Sequence, residues 1–435
     1  MNTIQVGLLG CGTVGTGVAR LLLENRDLIR ARLGADLKLK YVADLDAETD
    51  RGISFPPGVF IPDARRVIDD PEVDVVVEMI GGKTAAREMI QAAIAAGKHV
   101  VTANKALLAD GGNELVAQAR ERGVDLGYEA SVGGCMPIIK SVRESLVGNR
   151  ISAMTGILNG TCNYILTRIT EEGATYEAAL ADAQAEGFAE ADPTLDVEGH
   201  DTAHKLAILN SLAYGMEINL DDIYLEGITR ITPEDIAFAA EFGYKVKLLA
   251  IGKDRGDAVE ARIHPTMIPL DNPLSNVGGS LNAVTISADA VGDMMLYGHG
   301  AGMMPTASAV VSDLVDIARN LLTGAKRRMP ILSYQPEAIE RRPVLPMDAV
   351  ETYYYFRFAA ADKPGVLSKI AGILGDLGIS IASVQQKGRE ADGPVPIVML
   401  THKAREADVK AAFAEIRRLD VVRDDPALIR IEENE

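Results

Sequence analysis

Ile4-Gln5-Val6-Gly7-Leu8-Leu9 is an apolar run of strand length. It passes without a break into Gly10-Cys11-Gly12-Thr13-Val14-Gly15 and then into a helical pattern through Leu21-Leu22-Leu23. No other junction narrows the fold as much. A buried strand, a G-x-G-x-x-G turn and a helix in direct succession open a βαβ unit that holds a dinucleotide. Gly10 permits the tight turn, Gly12 lets backbone N–H groups approach a pyrophosphate, and Gly15 lets helix pack on strand. Gly10, Gly12, Thr13, Val14 and Gly15 then lie where the helix N-terminus faces the phosphates. With 41 glycines in 435 residues, the spacing alone is weak; the flanking strand and helix give it weight.

The pattern continues in the same style. Leu37 to Ala43 reads as a second strand ending in Asp44-Leu45-Asp46, and Val73 to Val77 as a third. A helix from about Thr84 to Ala96 and a strand through Val101 follow. Near-continuous apolar strands between helices indicate a parallel sheet covered on both faces. At the end of the second strand Asp44 and Asp46 are the candidates to hold an adenosine ribose hydroxyl, where an acid favours NAD; the alternative is a solvated loop acid.

From about residue 131 glycine-rich loops alternate with longer helical segments, among them 202–214 and 305–322. A Pro- and Arg-rich stretch, 326–346, reads as a linker. The last segment runs strand, helix, strand, strand, helix, strand, the order of a ferredoxin-like module. The expected fold class is α/β. A Rossmann-type nucleotide-binding domain spans 1–130, completed by 305–325, and an α+β substrate and dimerisation domain spans 131–304. The ferredoxin-like domain spans 347–435.

Composition bounds the partners. The chain has 44 Lys+Arg against 62 Asp+Glu, a surplus of acid that disfavours nucleic acid and anionic membranes. Apolar runs stop at strand length, short of the roughly 20 residues a membrane helix needs. Cys11, Cys135 and Cys162 are odd in number and widely spaced, which suits free thiols in a reducing cytoplasm. The acid is concentrated: residues 171–241 hold 17 Asp+Glu against Lys205 and Arg230 alone.

Three stretches carry chemistry. Thr102-Ala103-Asn104-Lys105 closes a parallel strand at its carboxyl end, where doubly wound sheets bind ligands. The run from Tyr128 to Pro137 offers one carboxylate, Glu129, and several mobile backbone carbonyls, a donor set suited to a hard monovalent cation; the alternative is a structural glycine turn with a capping role. The third runs from Glu186 to Lys205. Asp201 and Lys205 are four apart, hence on one helix face. In a cleft, Glu190 and Asp201 suit a substrate ammonium, and Lys205 suits proton exchange with a hydroxyl once burial or a neighbouring cation offsets the surrounding acid.

Taken together these residues resemble homoserine dehydrogenase. The likeness covers 4–325 and includes the Gly10–Gly15 turn, Ala103-Asn104-Lys105, Glu129-Ala130-Ser131-Val132-Gly133, the run from Gly156 to Leu166, Glu190 through Lys205, His264-Pro265-Thr266 and the run from Gly300 to Val310. The resemblance implies interconversion of L-homoserine and L-aspartate 4-semialdehyde with NAD or NADP, on the route to threonine, methionine and isoleucine. It implies that Lys205 is the proton donor and acceptor, that Glu190 and Asp201 bind substrate, and that Lys105 contacts cofactor and assists the chemistry. Gly187 and Gly302 match positions near the cofactor, and Glu129, Val132, Gly134 and Met136 match ligands of a sodium ion. The segment around Asp362-Lys363-Pro364-Gly365-Val366-Leu367 resembles an ACT domain, which implies pairing into a homodimer or homotetramer and feedback inhibition by L-threonine. On that reading, deletion of 347–435 leaves activity and removes the inhibition.

Two positions depart from the family pattern. Ala43 stands where many members carry an Arg for a 2′-phosphate, so NAD is expected to serve at least as well as NADP. His299 stands where Pro is common and is given no role. The rival readings are a semialdehyde dehydrogenase acting through Cys135 or Cys162 and a non-catalytic nicotinamide and amino-acid sensor.

Overall fold

A computed structural model describes residues 2–325, 328–386, 394–423 and 426–433. The chain folds as two compact units, Met1–Met154 with Asp201–Asp221 and Asn282–Arg342, and Thr155–His200 with Asp222–Leu281 and Pro343–Glu435.

In the first unit β1 (Thr3–Leu9), β2 (Asp36–Ala43), β3 (Phe60–Ile61), β4 (Val75–Glu78), β5 (His99–Thr102) and β6 (Leu126–Gly127) form one sheet in the order β3-β2-β1-β4-β5-β6. Every pairing is parallel. The apolar runs are buried because helices cover both faces; all four residues of β4 are buried. The chain leaves β1 toward β2 and later returns to its other side as β4. That reversal opens a crevice at the carboxyl ends of β1 and β4, where such sheets take ligands.

The late helix Met303–Thr323 shares this core. Ala307, Val310, Leu314 and Ile317 are buried in one cluster with Val6, Leu8, Val18 and Leu22. Gly17 sets the approach: a Cβ there would stand 2.9 Å from Met303 Cγ and 3.0 Å from the Ala307 Cβ. The stretch read as a linker is packed instead, apart from 326–327, which lie outside the described residues. Tyr128 donates its hydroxyl to the Ile331 carbonyl at 2.5 Å, Tyr334 donates to the Ala213 carbonyl at 2.9 Å, and the Glu340 N–H bonds the Gly215 carbonyl at 3.0 Å.

Strands β7 (Ile151–Ile157), β11 (Leu281–Ala288) and β12 (Gly292–His299) follow in the chain. The second unit holds β8 (Tyr224–Leu225), β9 (Tyr244–Asp254) and β10 (Val259–Pro269). The C-terminal segment supplies β13 (Glu351–Ala361), β14 (Ile381–Gln386), β15 (Pro394–Thr401), β16 (Ala404–Arg405) and β17 (Ala427–Ile431). Its four main strands lie in the order β17-β13-β15-β14, all antiparallel, the ferredoxin-like arrangement expected. Alternation along β13 explains its faces. Tyr354, Phe356 and Phe358 pack with Ile370, Leu374 and Phe413 of the helices Val366–Asp376 and Glu406–Ile416.

The opposite face and the edge hold what the sequence did not announce. Tyr355 donates to Asp235 at 3.1 Å and Arg357 Nε donates to the same carboxylate at 2.6 Å, which ties the sheet to the helix Pro233–Glu241. Strand β17 also pairs in parallel with β10, Thr266 opposite Arg430 and Met267 opposite Ile431. The C-terminal segment is therefore continuous with β9 and β10. The expectation that 347–435 can be removed without loss conflicts with this pairing, because removal uncovers the β10 edge.

Candidate active site

The phosphate-binding turn has the geometry its glycines imply. Gly10 has φ +90°, and a Cβ there would fall 2.5 Å from the Met79 carbonyl oxygen; one on Gly15 would fall 2.1 Å from the Gly10 carbonyl oxygen. Around Gly12 no protein atom lies within 4 Å of a Cβ position. Packing does not demand that glycine, so the open space above it suits a ligand. The helix Thr13–Glu24 has no side-chain cap, leaving its first N–H groups for an anion. These residues fit a dinucleotide pyrophosphate.

Asp44 lies beside the turn. Its carboxylate accepts the Cys11 N–H at 2.5 Å and the Asp46 N–H at 2.9 Å. Sequence reasoning missed Arg51. Its guanidinium donates to the Cys11 carbonyl at 2.7 Å and to the Asp46 carbonyl at 2.6 Å, lies 3.7 Å from Asp44 Oδ1, and stacks over Phe60. It enters from a loop with no periodic pattern, so the sequence held no signal for its placement.

Three predicted residues meet just past the carboxyl end of β5. Asp201 and Lys205 sit one turn apart on the helix His200–Tyr214, with Lys205 Nζ 2.6 Å from Asp201 Oδ2. Lys105, the first residue of the helix Lys105–Arg122, reaches Asp201 Oδ1 at 3.2 Å. One carboxylate thus serves two ammonium groups. The Lys205 side chain is 8% exposed against 38% for Lys105.

Lys105 is placed by a buried chain of hydrogen bonds. Glu78, 1% exposed, accepts the N–H groups of Ile80 and Gly81 at 2.8 and 3.1 Å and the Thr102 hydroxyl at 2.7 Å. Thr102 Oγ accepts the Asn104 N–H at 3.0 Å, and Asn104 caps the helix through Leu107 N–H at 3.1 Å. A glutamate closing an all-valine strand was the available signal for this network, and it was passed over.

Glu129 is 2% exposed and accepts the N–H groups of Ile139 and Lys140 at 2.9 and 2.8 Å. Both donors belong to the short helix Ile138–Lys140. Burial, with the Asp313 charge beside it, pushes its carboxyl up to about 7, and burial raises Asp313 as well. Lys140 Nζ lies 3.5 Å from Asp313 and also pairs with Asp316, and the Arg143 charge acts on Asp313 as well. The Glu129 carboxylate and the carbonyls of the Val132, Gly134 and Met136 turn, close by in the chain, are the hard oxygen donors a monovalent cation would take. Gly133 and Gly134 have φ +71° and +55°, and a Cβ on Gly134 would meet the His299 carbonyl at 2.5 Å. Among the described residues no three His, Cys, Asp or Glu side chains are grouped to hold a metal.

Gly302, φ +113°, is the N-cap of the helix Met303–Thr323. Gly187 and Glu190 lie exposed on a loop of the second unit. That loop is fastened to the helix Gly160–Glu172. Asn159 and Thr161 bond the Asp196 carboxylate at 2.7 and 3.0 Å, and Thr161 also donates to the Phe188 carbonyl at 2.6 Å. Cys162 is buried there with its thiol on the Asp196 carbonyl at 3.1 Å, a setting unlike that of a nucleophile. His264 is wholly buried in β10, and burial, together with Arg430 and Arg262, holds its pKa well below the usual value.

Family models match three stretches: "Homoserine dehydrogenase, NAD binding domain" over 10–129, "Homoserine dehydrogenase" over 137–315 and "ACT domain" over 354–421. A homoserine dehydrogenase of Pseudomonas aeruginosa is 45% identical over 434 residues, covering 100% of both chains. Among solved structures, a homoserine dehydrogenase from Thiobacillus denitrificans superposes with TM-score 0.94 at 45% identity, covering 100% of this chain and 99% of that one. A hyperthermophilic archaeal homoserine dehydrogenase mutant in complex with NADPH gives TM-score 0.60 at 25% identity, covering 72% of this chain and 97% of its own.

Proposed function

The chain belongs to the homoserine dehydrogenase family, and from that premise we propose that Lys205 exchanges the hydroxyl proton of L-homoserine while Asp201 and Glu190 bind its ammonium group. The enzyme is an NAD(P)-dependent oxidoreductase that interconverts L-homoserine and L-aspartate 4-semialdehyde. The observation that carries the assignment is the Asp201 carboxylate shared between Lys205 and Lys105. Bound NAD(P) supplies the acceptor or donor of hydride. In oxidation the Lys205 amine takes the hydroxyl proton; in reduction its ammonium returns a proton to the aldehyde oxygen. Asp201 fixes the direction of Lys205 Nζ, and sharing with Lys105 weakens its hold on either lysine. Lys105, set at a helix start by Asn104 and Thr102, adds positive charge where oxygen becomes anionic. Substitution of Lys205 by Ala should lower kcat about 10³-fold in an assay of nicotinamide absorbance with L-homoserine, with cofactor affinity unchanged. A variant that keeps wild-type turnover overturns the role, and loss of cofactor binding points to misfolding.

Cofactor choice is finer. Asp44 is committed to two backbone N–H groups and Arg51 stands beside it, so the pair suits a ribose hydroxyl or a 2′-phosphate, and both NAD and NADP serve. Arg51→Ala should lower kcat/KM about tenfold with NADP and about twofold or less with NAD; equal losses with both would remove Arg51 from recognition.

Glu129, with the carbonyls of Val132, Gly134 and Met136, holds a sodium ion that neutralises the buried acid pair. Replacing sodium by tetramethylammonium in the same assay should lower activity, and unchanged turnover would dismiss the ion. The ACT segment takes L-threonine as an inhibitor and supports at least a dimer; insensitivity to millimolar threonine would leave it a structural module. Cytoplasmic residence is in keeping with this chemistry, and among the described residues no helix is long and apolar enough to cross a membrane.

A further inference from the structure

Glu78, the last residue of β4, divides its carboxylate between two limbs of the first unit. One oxygen accepts the Ile80 and Gly81 N–H groups at 2.8 and 3.1 Å, and the other accepts the Thr102 hydroxyl at 2.7 Å. The first limb is the loop that leaves β4. Its Met79 N–H bonds the Leu9 carbonyl at 2.7 Å, and a Cβ on Gly10 would lie 2.5 Å from the Met79 carbonyl oxygen and 2.8 Å from Ile80 N. The loop therefore rests on the phosphate-binding turn. Gly81 and Gly82 follow with φ +77° and +68°, and no protein atom lies within 4 Å of a Cβ position on either. Ile80 beside them is 41% exposed. Bare backbone and an exposed apolar side chain at the carboxyl end of β4 stand where a cofactor continues from its pyrophosphate.

The second limb leads to the chemistry. Thr102 Oγ accepts the Asn104 N–H at 3.0 Å, Asn104 caps the helix Lys105–Arg122, and Lys105 Nζ reaches Asp201 at 3.2 Å. Asn104 Nδ2 also donates to the Gly82 carbonyl at 2.6 Å, which closes the two limbs into a ring. The direction of the bonds is fixed. A carboxylate only accepts, so Thr102 turns its proton toward Glu78 and keeps a lone pair for the Asn104 N–H. Glu78 and Thr102 are 1% and 0% exposed, so removing one leaves its partners buried and unmatched.

We propose that Glu78 and Thr102 are positioning residues, which hold Lys105 in register with the turn and loop that take the cofactor. The inference rests on the role given above to Lys105. Both residues act through others, Glu78 through Thr102 and Thr102 through the helix start. Their loss therefore shows in turnover and not in cofactor affinity.

The test is a double-mutant cycle in kcat, with affinity for the reduced cofactor read from nicotinamide fluorescence. Thr102→Val keeps the shape and removes the link, so it should lower kcat about tenfold and leave cofactor affinity unchanged; Thr102→Ser should restore turnover. Glu78→Gln keeps an oxygen for the loop but reverses the polarity at Thr102. It should lose turnover in the same way, and it carries the test if the Val variant does not fold. In a Lys105→Ala background neither substitution should lower kcat further, because the effect passes through the lysine. A loss that multiplies in full in that background, a loss that Thr102→Ser does not restore, or wild-type kcat in both variants overturns the proposal. Wild-type turnover in Lys105→Ala alone overturns the role of Lys105 and the proposal with it, an outcome distinct from those three.

Discussion

Two buried charge clusters in this chain are built on opposite stoichiometry. In the first unit one carboxylate, Asp201, is divided between Lys105 and Lys205. In the second, one guanidinium, Arg430, is divided among several acceptors. It meets Glu406 at 2.9 and 2.5 Å, Glu226 at 2.8 Å and the Tyr224 hydroxyl at 3.1 Å. The Arg430 side chain is 4% exposed and that of Glu406 0%. The first cluster sets two ammonium groups on one carboxylate and leaves the Lys105 side chain 38% exposed. The second is closed and satisfied, which is what a joint between strands needs. Buried charge alone does not separate a candidate site from a joint; the exposure of one partner does.

The largest effect that tests this contrast is truncation after Pro346. It removes β17 from the β10 edge and takes Glu432 away from Lys253 and Arg262, so the product should be insoluble or inactive rather than active and insensitive to threonine. Soluble, active truncated protein on size-exclusion chromatography would show that the joint is dispensable.

Next in size is Arg430→Met, which strands Glu406 in the interior. It should cost about 3–5 kcal/mol of unfolding free energy in urea titrations, whereas Lys205→Ala should cost activity with little stability. A stable Arg430→Met protein would break the distinction between joint and site.

A smaller effect comes from Lys247, a buried ammonium that donates to neutral acceptors, Asn163 Oδ1 at 2.9 Å and the Val277 carbonyl at 2.7 Å. Burial, with Lys245 nearby, lowers its pKa to about 8. Between that value and the unfolded value near 10.4, the unfolded chain binds the proton and the folded chain does not. Stability should therefore rise with pH across this window, by at most about 3 kcal/mol. Lys247→Met should flatten that slope in urea titrations at pH 8 and 10; an unchanged slope would assign it to other groups.

Legibility followed locality. The turn from Gly10 to Gly15, the parallel strands and the βαββαβ order are patterns of neighbours in sequence, and each was read to within a few residues. Asp201 and Lys205 were paired by helical spacing alone. Arg51, Glu78 and Asp313 were not read, because each acts across 24 residues or more: Glu78 on Thr102, Arg51 on Cys11, Asp313 on the Glu129 N–H at 2.8 Å. The stretch 328–346 was misread because Pro and Arg signal loops, while Leu332 and Tyr334 were anchored by partners that composition does not reveal.

The sequence by itself determined the dinucleotide turn, the family and the placing of Asp201 and Lys205 on one helix face, because strand and helix periods and glycine spacing are local steric facts. Only the tertiary structure decided that Asp201 serves two lysines, that Arg51 stands beside Asp44, and that the C-terminal segment is woven into the sheet through β17. Those outcomes depend on which distant charges share one desolvated space, and no local period encodes that.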